Sequence, residues 1–307
     1  MKARIQIIAI AGVVLTLLLP GATSGASPTP GHHRTDVTTT VAGQKMAREA
    51  ASRYGSLGVA ARTDGLAVIE DDKGWVIAPK GLEPEIDDAS GQVTSKATAR
   101  PANTGYAQEM RPVVRLQALL PRADTASVAP LADPQPYWQL TNSACWSRLY
   151  ANSGLGYMDT CFKSWKMQQE YNLGRDDFLI ETFATVTGYQ GSGLEWAWID
   201  TSQYGSVAQY WVDWAPAGST SGGCRTIPLG LGASYAGVGA SISSAFTACE
   251  QLDITKGNPA VWIHENWDYC QTLCFQGMRG SRGLKTQEWI YVGQGKWPIW
   301  DVNWSVG

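Results

Sequence analysis

The chain has 307 residues, with 24 lysines and arginines against 27 aspartates and glutamates and a formal net charge of −3. From residue 137 onward ten basic residues face fourteen acidic ones, a balance that argues against recognition of nucleic acid or of an anionic membrane through a basic footprint. All six cysteines, thirteen of the fourteen tryptophans and every phenylalanine lie after residue 136, so folding and recognition are expected in that part.

Residues 1–26 have the anatomy of a secretory signal: Lys2 and Arg4, an apolar run over 5–19, the breaker Pro20, and the small residues Ser24, Gly25 and Ala26. A spanning helix needs roughly 20 apolar residues, which this run does not supply. The mature product is therefore expected to be secreted and extracellular, without stable membrane insertion.

Residues 27–136 read as a pro-region or flexible spacer. Within it, 27–40 is rich in Pro, Thr, Gly and His, and 89–103 in Ala, Ser, Thr and Pro, compositions of low structural commitment. A short helix is predicted over 42–54 and a small hairpin over 66–77, turning at Asp72-Lys73-Gly74. Tyr54, Trp75 and Tyr106 are its only aromatics, too few for a core of its own. The apolar stretch 111–121 could dock on the C-terminal domain, and 123–136 resembles a proline-rich linker.

Residues 137–307 form the cysteine- and tryptophan-rich β domain. Runs heavy in Trp, Tyr, Val, Ile and Thr, separated by Gly, Ser, Asn and Pro, predict strands over 178–187, 194–200, 207–214, 227–235, 238–248, 260–269, 286–292 and 299–304. One helix is predicted over 163–171, ended by Asn172-Leu173-Gly174. The fold class is all-β, an antiparallel, disulfide-stapled sandwich or barrel preceded by a weakly structured N-terminal region.

Export implies that Cys145, Cys161, Cys224, Cys249, Cys270 and Cys274 form three disulfides. Short-loop closure favours pairing neighbours, Cys145 with Cys161, Cys224 with Cys249 and Cys270 with Cys274, among the fifteen connectivities six cysteines allow. Cys270 and Cys274 have ligand-like spacing, but no second close pair accompanies them, so no metal is expected. The glycines of 230–244 match no phosphate-binding pattern and fit a tight turn at Ala236-Gly237. No cofactor motif is present.

Strand alternation sorts the aromatics. In 207–214, Trp211 shares a side with Gln209 and Asp213; in 260–269, Trp262 shares one with His264, Asn266 and Asp268. An aromatic plane beside carboxylates and amides suits a sugar ring or a peptide, although a covered sheet face can bury such residues equally well. Noncatalytic binding of a polysaccharide or cell-envelope component is the expected function, through Trp211, Asp213, Trp262, His264, Asn266 and Asp268. An extracellular hydrolase is the alternative. It would use His264, whose backbone lies about 13 Å from that of Asp268 on an extended strand, or a pair among Glu195, Asp200, Asp213, Glu265, Asp268 and Glu288. A secreted inhibitor or interaction protein, with a loop braced at Cys270 and Cys274, is the third class.

Overall fold

Helix α1 (Val41–Ser56) starts where Thr40 can cap it: the Thr40 hydroxyl accepts from the Gly43 backbone N–H at 3.0 Å. Ala47, Ala50 and Tyr54 recur at helical spacing and form its buried stripe. A side chain at Gly43 would collide with the Val37 carbonyl oxygen, so only glycine permits this entry. The hairpin of β2 (Leu66–Asp71) and β3 (Gly74–Pro79) turns where Asp71 accepts from the Lys73 and Gly74 backbone N–H groups at 3.0 Å each.

These observations come from a computed structural model, which describes residues 34–87, 90–101, 137–150, 156–168, 174–188, 196–203, 207–216, 219, 223–235, 238–248, 251–257, 260–266 and 280–306. The signal over 1–26, the segments 111–121 and 123–136, and Glu195, Cys249, Asp268, Cys270 and Cys274 lie outside them. The remaining strands are β1 (Thr35–Asp36), β4 (Glu85–Ile86), β5 (Val93–Thr98), β6 (Tyr137–Tyr150), β7 (Gly156–Gln168), β8 (Arg175–Gly188), β9 (Trp196–Gln203), β10 (Gln209–Ala215), β11 (Arg225–Tyr235), β12 (Val238–Ala248), β13 (Gln251–Gly257), β14 (Ala260–Asn266), β15 (Gly280–Gly293) and β16 (Ile299–Val306).

All pairings among the described residues are antiparallel. An eight-stranded sheet runs β1-β2-β3-β6-β7-β8-β15-β10, a six-stranded sheet runs β13-β14-β9-β16-β5-β4, and β11-β12 forms a separate hairpin. Neither large sheet closes, so the architecture is a sandwich and not a barrel. The shared core holds Trp146, Phe162, Phe178 and Ile180 from the larger sheet with Ile199, Trp300, Val302 and Trp304 from the smaller. Phe162 bridges them, stacking on Trp146 at 5.8 Å and meeting Trp300 edge-on at 5.2 Å. Among the described residues, no helix is long and apolar enough to cross a membrane.

The predicted helix at 42–54 and the hairpin at 66–77 are present, and 238–248 is a strand with those bounds. Two expectations are corrected. The stretch 163–168 is the end of β7, not a helix. Pairing with β6 and β8 on both flanks, and a disulfide from the neighbouring Cys161, outweigh a local helical preference worth only tenths of a kcal/mol per residue. The Ala-, Ser- and Thr-rich stretch 89–103, expected to be flexible, contains β5, which buries Val93, Ser95 and Ala97 and pairs with β16.

β3 pairs with β6 and β5 with β16, so residues on both sides of position 137 share both sheets. Residues 32–307 cluster as one compact unit. A second, smaller core under α1 contains Ala47, Ala50, Tyr54, Leu66, Val68 and Ile77 together with Cys145, Cys161 and Phe183. Cys145 and Cys161, directly opposite in register, form the expected disulfide. Cys224 is disulfide-bonded as well.

Candidate functional site

The sequence of β9 alternates strictly. Ala197, Ile199 and Thr201 are buried toward the larger sheet, while Trp196, Trp198, Asp200 and Ser202 are half-buried on the outer face of the smaller one. Next to it, β16 buries Trp300, Val302 and Trp304 and leaves Asp301 and Asn303 half-buried on that outer face. β5 adds Thr94 and Lys96. Three adjacent strands thus present two indoles beside carboxylates, an amide, hydroxyls and one ammonium.

Register arranges these positions in rows. Thr94, Asn303, Asp200 and Trp262 occupy successive strands of one row, and Lys96, Asp301, Ser202 and Ala260 those of the next. On the other side of Asp200, Trp198 lies opposite His264, which in turn lies opposite Asp253, and Trp196 lies opposite Asn266. The register therefore sets the positions of Trp262, His264 and Asn266 opposite those of Asp200, Trp198 and Trp196; of these three, the sequence singles out only Asp200, as a candidate carboxylate.

The row through Asp200 is held in place. Asn303 donates from Nδ2 to Asp200 Oδ2 at 3.4 Å, and its Oδ1 accepts from Thr94 Oγ1 at 2.8 Å and Gln92 Nε2 at 3.4 Å. Burial pushes the Asp200 carboxyl above the ordinary aspartate range, against the lowering effect of Asn303 and of a backbone N–H. Burial also raises Asp301; Lys96 opposes this and Glu85 adds to it. Asp301 Oδ1 is enclosed without a hydrogen-bond partner among the described residues. Asp200 and Asp301 are diagonal neighbours on paired strands, a relation that separates side chains by roughly 7–8 Å.

Trp211 and Asp213 belong elsewhere. They lie on β10, at the edge of the eight-stranded sheet, where a β-bulge at Val212 resets the alternation. In register Trp211 pairs with Ile290 and Asp213 with Trp289, consecutive residues of β15. Asp213 is exposed and accepts from the Trp214 backbone N–H at 2.9 Å. What this edge exposes is Tyr210, stacked on Tyr291 at 5.0 Å with the Arg175 guanidinium 4.6 Å from the Tyr291 ring centre.

Other carboxylates named from the sequence also separate. Glu265 lies opposite Ala197 in register, one residue out of the row of His264. Glu288 is buried between the sheets, where it accepts a hydrogen bond from Thr201 Oγ1. No group of three or more His, Cys, Asp or Glu is placed to hold a metal ion among the described residues. No protein-family model matches the chain, and no curated protein matches it either.

Proposed function

We propose that this is an exported protein that binds a polysaccharide or cell-envelope glycan, without turning it over, on the outer face of the six-stranded sheet. The observation that carries the reading is the placement of Trp196 and Trp198, half-buried and two residues apart on β9, beside the ordered Asp200, Asn303 and Thr94 row. Two residues along a strand span about 7 Å, so the indoles can support successive parts of a chain-like ligand. Indole faces stack on sugar CH groups, and the amide and carboxyl fix hydroxyls. Export rests on the signal anatomy of 1–26 and is supported by the Cys145–Cys161 disulfide, which belongs to an oxidising compartment.

Binding to an immobilised panel of neutral and amino-sugar polysaccharides tests this. Trp198→Ala is expected to weaken retention at least tenfold and Asp200→Asn several-fold, while Trp211→Ala, on the other sheet, leaves it unchanged. Unaltered binding in Trp196→Ala, Trp198→Ala and Trp262→Ala would remove this face from consideration.

A hydrolytic reading has one specific observation in its favour. Asp200 and Asp301 are diagonal neighbours with raised carboxyl pKa values, within the roughly 5–10 Å range of glycosidase carboxyl pairs. Release of reducing ends from the bound polysaccharide, abolished in Asp301→Asn, would establish it; the binding reading expects no release.

A further inference from the structure

A cavity of about 310 Å³ lies beside α1, between the helix, the loop after β3, the end of β5 and the middle of β6. Its walls are mostly apolar: Tyr54, Val59, Leu66 and Ala144 line it and are buried, with Thr98, Asn142 and Ser143 as polar members. Lys80 and Arg100, both exposed, also line it. None of its sixteen lining residues is acidic. Lys80 acts electrostatically on Asp36 and Asp64, which do not line the cavity.

We propose that this cavity binds a single-tailed anionic amphiphile, a medium-chain carboxylate or its equivalent, with the tail enclosed and the head held by Lys80 and Arg100. The volume corresponds to about ten water-sized groups, room for a medium-length tail. Cavities of this size, apolar within and carrying a few placed polar groups, are of the kind that take small ligands. Charge decides the head. An alcohol would gain no charge attraction from the two cations, and an ammonium head would be repelled by both. None of the residues named for the glycan reading lines the cavity, which stands independently of that reading.

The test is calorimetric titration of the full chain with decanoate, decan-1-ol and decyltrimethylammonium, each below its aggregation threshold. Decanoate is expected to bind with one-to-one stoichiometry, at least tenfold more tightly than decanol, with the cationic amphiphile weakest. The double substitution Lys80→Gln and Arg100→Gln should lower decanoate affinity about tenfold and leave decanol affinity unchanged. Ala61→Trp, at a half-buried position in the lining, should abolish binding of both. No saturable decanoate binding, equal affinity for the three heads, or an unaffected double variant would overturn the proposal.

Discussion

A chain reduced to residues 137–307 is expected not to reach the native fold, although it contains every cysteine and nearly every tryptophan. Losing β3 and β5 would bare one edge of β6 and one of β16, and unpaired edges of this kind lead to aggregation. Losing α1, β2 and β3 would uncover Cys145, Cys161 and Phe183 and remove Ala47, Ala50, Tyr54, Leu66, Val68 and Ile77 from the smaller core. At about 1.5–3 kcal/mol for each large apolar side chain, that loss is comparable to the whole 5–15 kcal/mol margin of a typical domain.

Charge makes the truncation worse. Arg148, 1% exposed, is held by Asp71 at 2.5 and 3.0 Å, and Asp159 is held by Arg53 at 2.7 and 2.9 Å. Both partners come from before residue 102, so truncation would leave Arg148 without its counter-ion and Asp159 without Arg53. A single change isolates part of this effect. Asp71→Ala is expected to cost about 3–5 kcal/mol, because Arg148 would remain enclosed without its counter-ion. For a protein of this size that lowers the melting temperature by about 6–20 °C. Near-UV circular dichroism and thermal unfolding check both variants; a 137–307 chain with native signal and melting point would refute the account. The consequence bears on processing. If 27–136 is cut as a pro-region, residues 34–101 must stay bound to keep the fold.

What the sequence disclosed came from short-range physics. The all-β class, the β2–β3 turn at Asp72-Lys73-Gly74, the bounds of β12 and the pairing of Cys145 with Cys161 all rest on alternation, turn chemistry or a short closed loop. What stayed hidden depended on partners distant in sequence. β5 has too little apolar content to announce itself and exists because β16 lies beside it. Val212 carries no mark of a bulge, yet the register of β10 shifts there between Trp211 and Asp213. Trp196 and Trp198 could have been sorted, since β9 alternates as clearly as β14 does; their importance came from the rows that β16 and β5 complete. Trp262, His264 and Asn266 occupy alternate positions along β14, and their neighbours could only come from register.

Stability is also expected to fall as pH rises from about 4.5 to about 8, because of one residue that faces away from the candidate site. Glu288, 2% exposed, lies on β15 against Thr201 of β9. Burial pushes its carboxyl from the ordinary 4.5 up to about 8; the charge of Asp200 adds to the rise and the Thr201 hydrogen bond opposes it. In the unfolded chain the proton leaves near 4.5, whereas the folded protein keeps it until about pH 8. Between those values the folded state binds more protons, so its stability declines with pH and levels off above pH 8. At 1.36 kcal/mol per pH unit the total is at most about 5 kcal/mol. Glu288→Gln preserves size and hydrogen bonding without the charge, so its unfolding free energy should lose this slope and exceed that of the parent protein at pH 8. Denaturant unfolding at pH 5, 6.5 and 8 measures both. Parallel profiles for parent and variant would show that Glu288 is not the neutral acid described here. Because Asp200 and Thr201 are consecutive on β9, ionisation of Glu288 on the inner side also places a second negative charge behind Asp200. Glycan retention should then weaken above pH 8 in the parent and hold steady in the glutamine variant, connecting the core of the sandwich to the face proposed to bind.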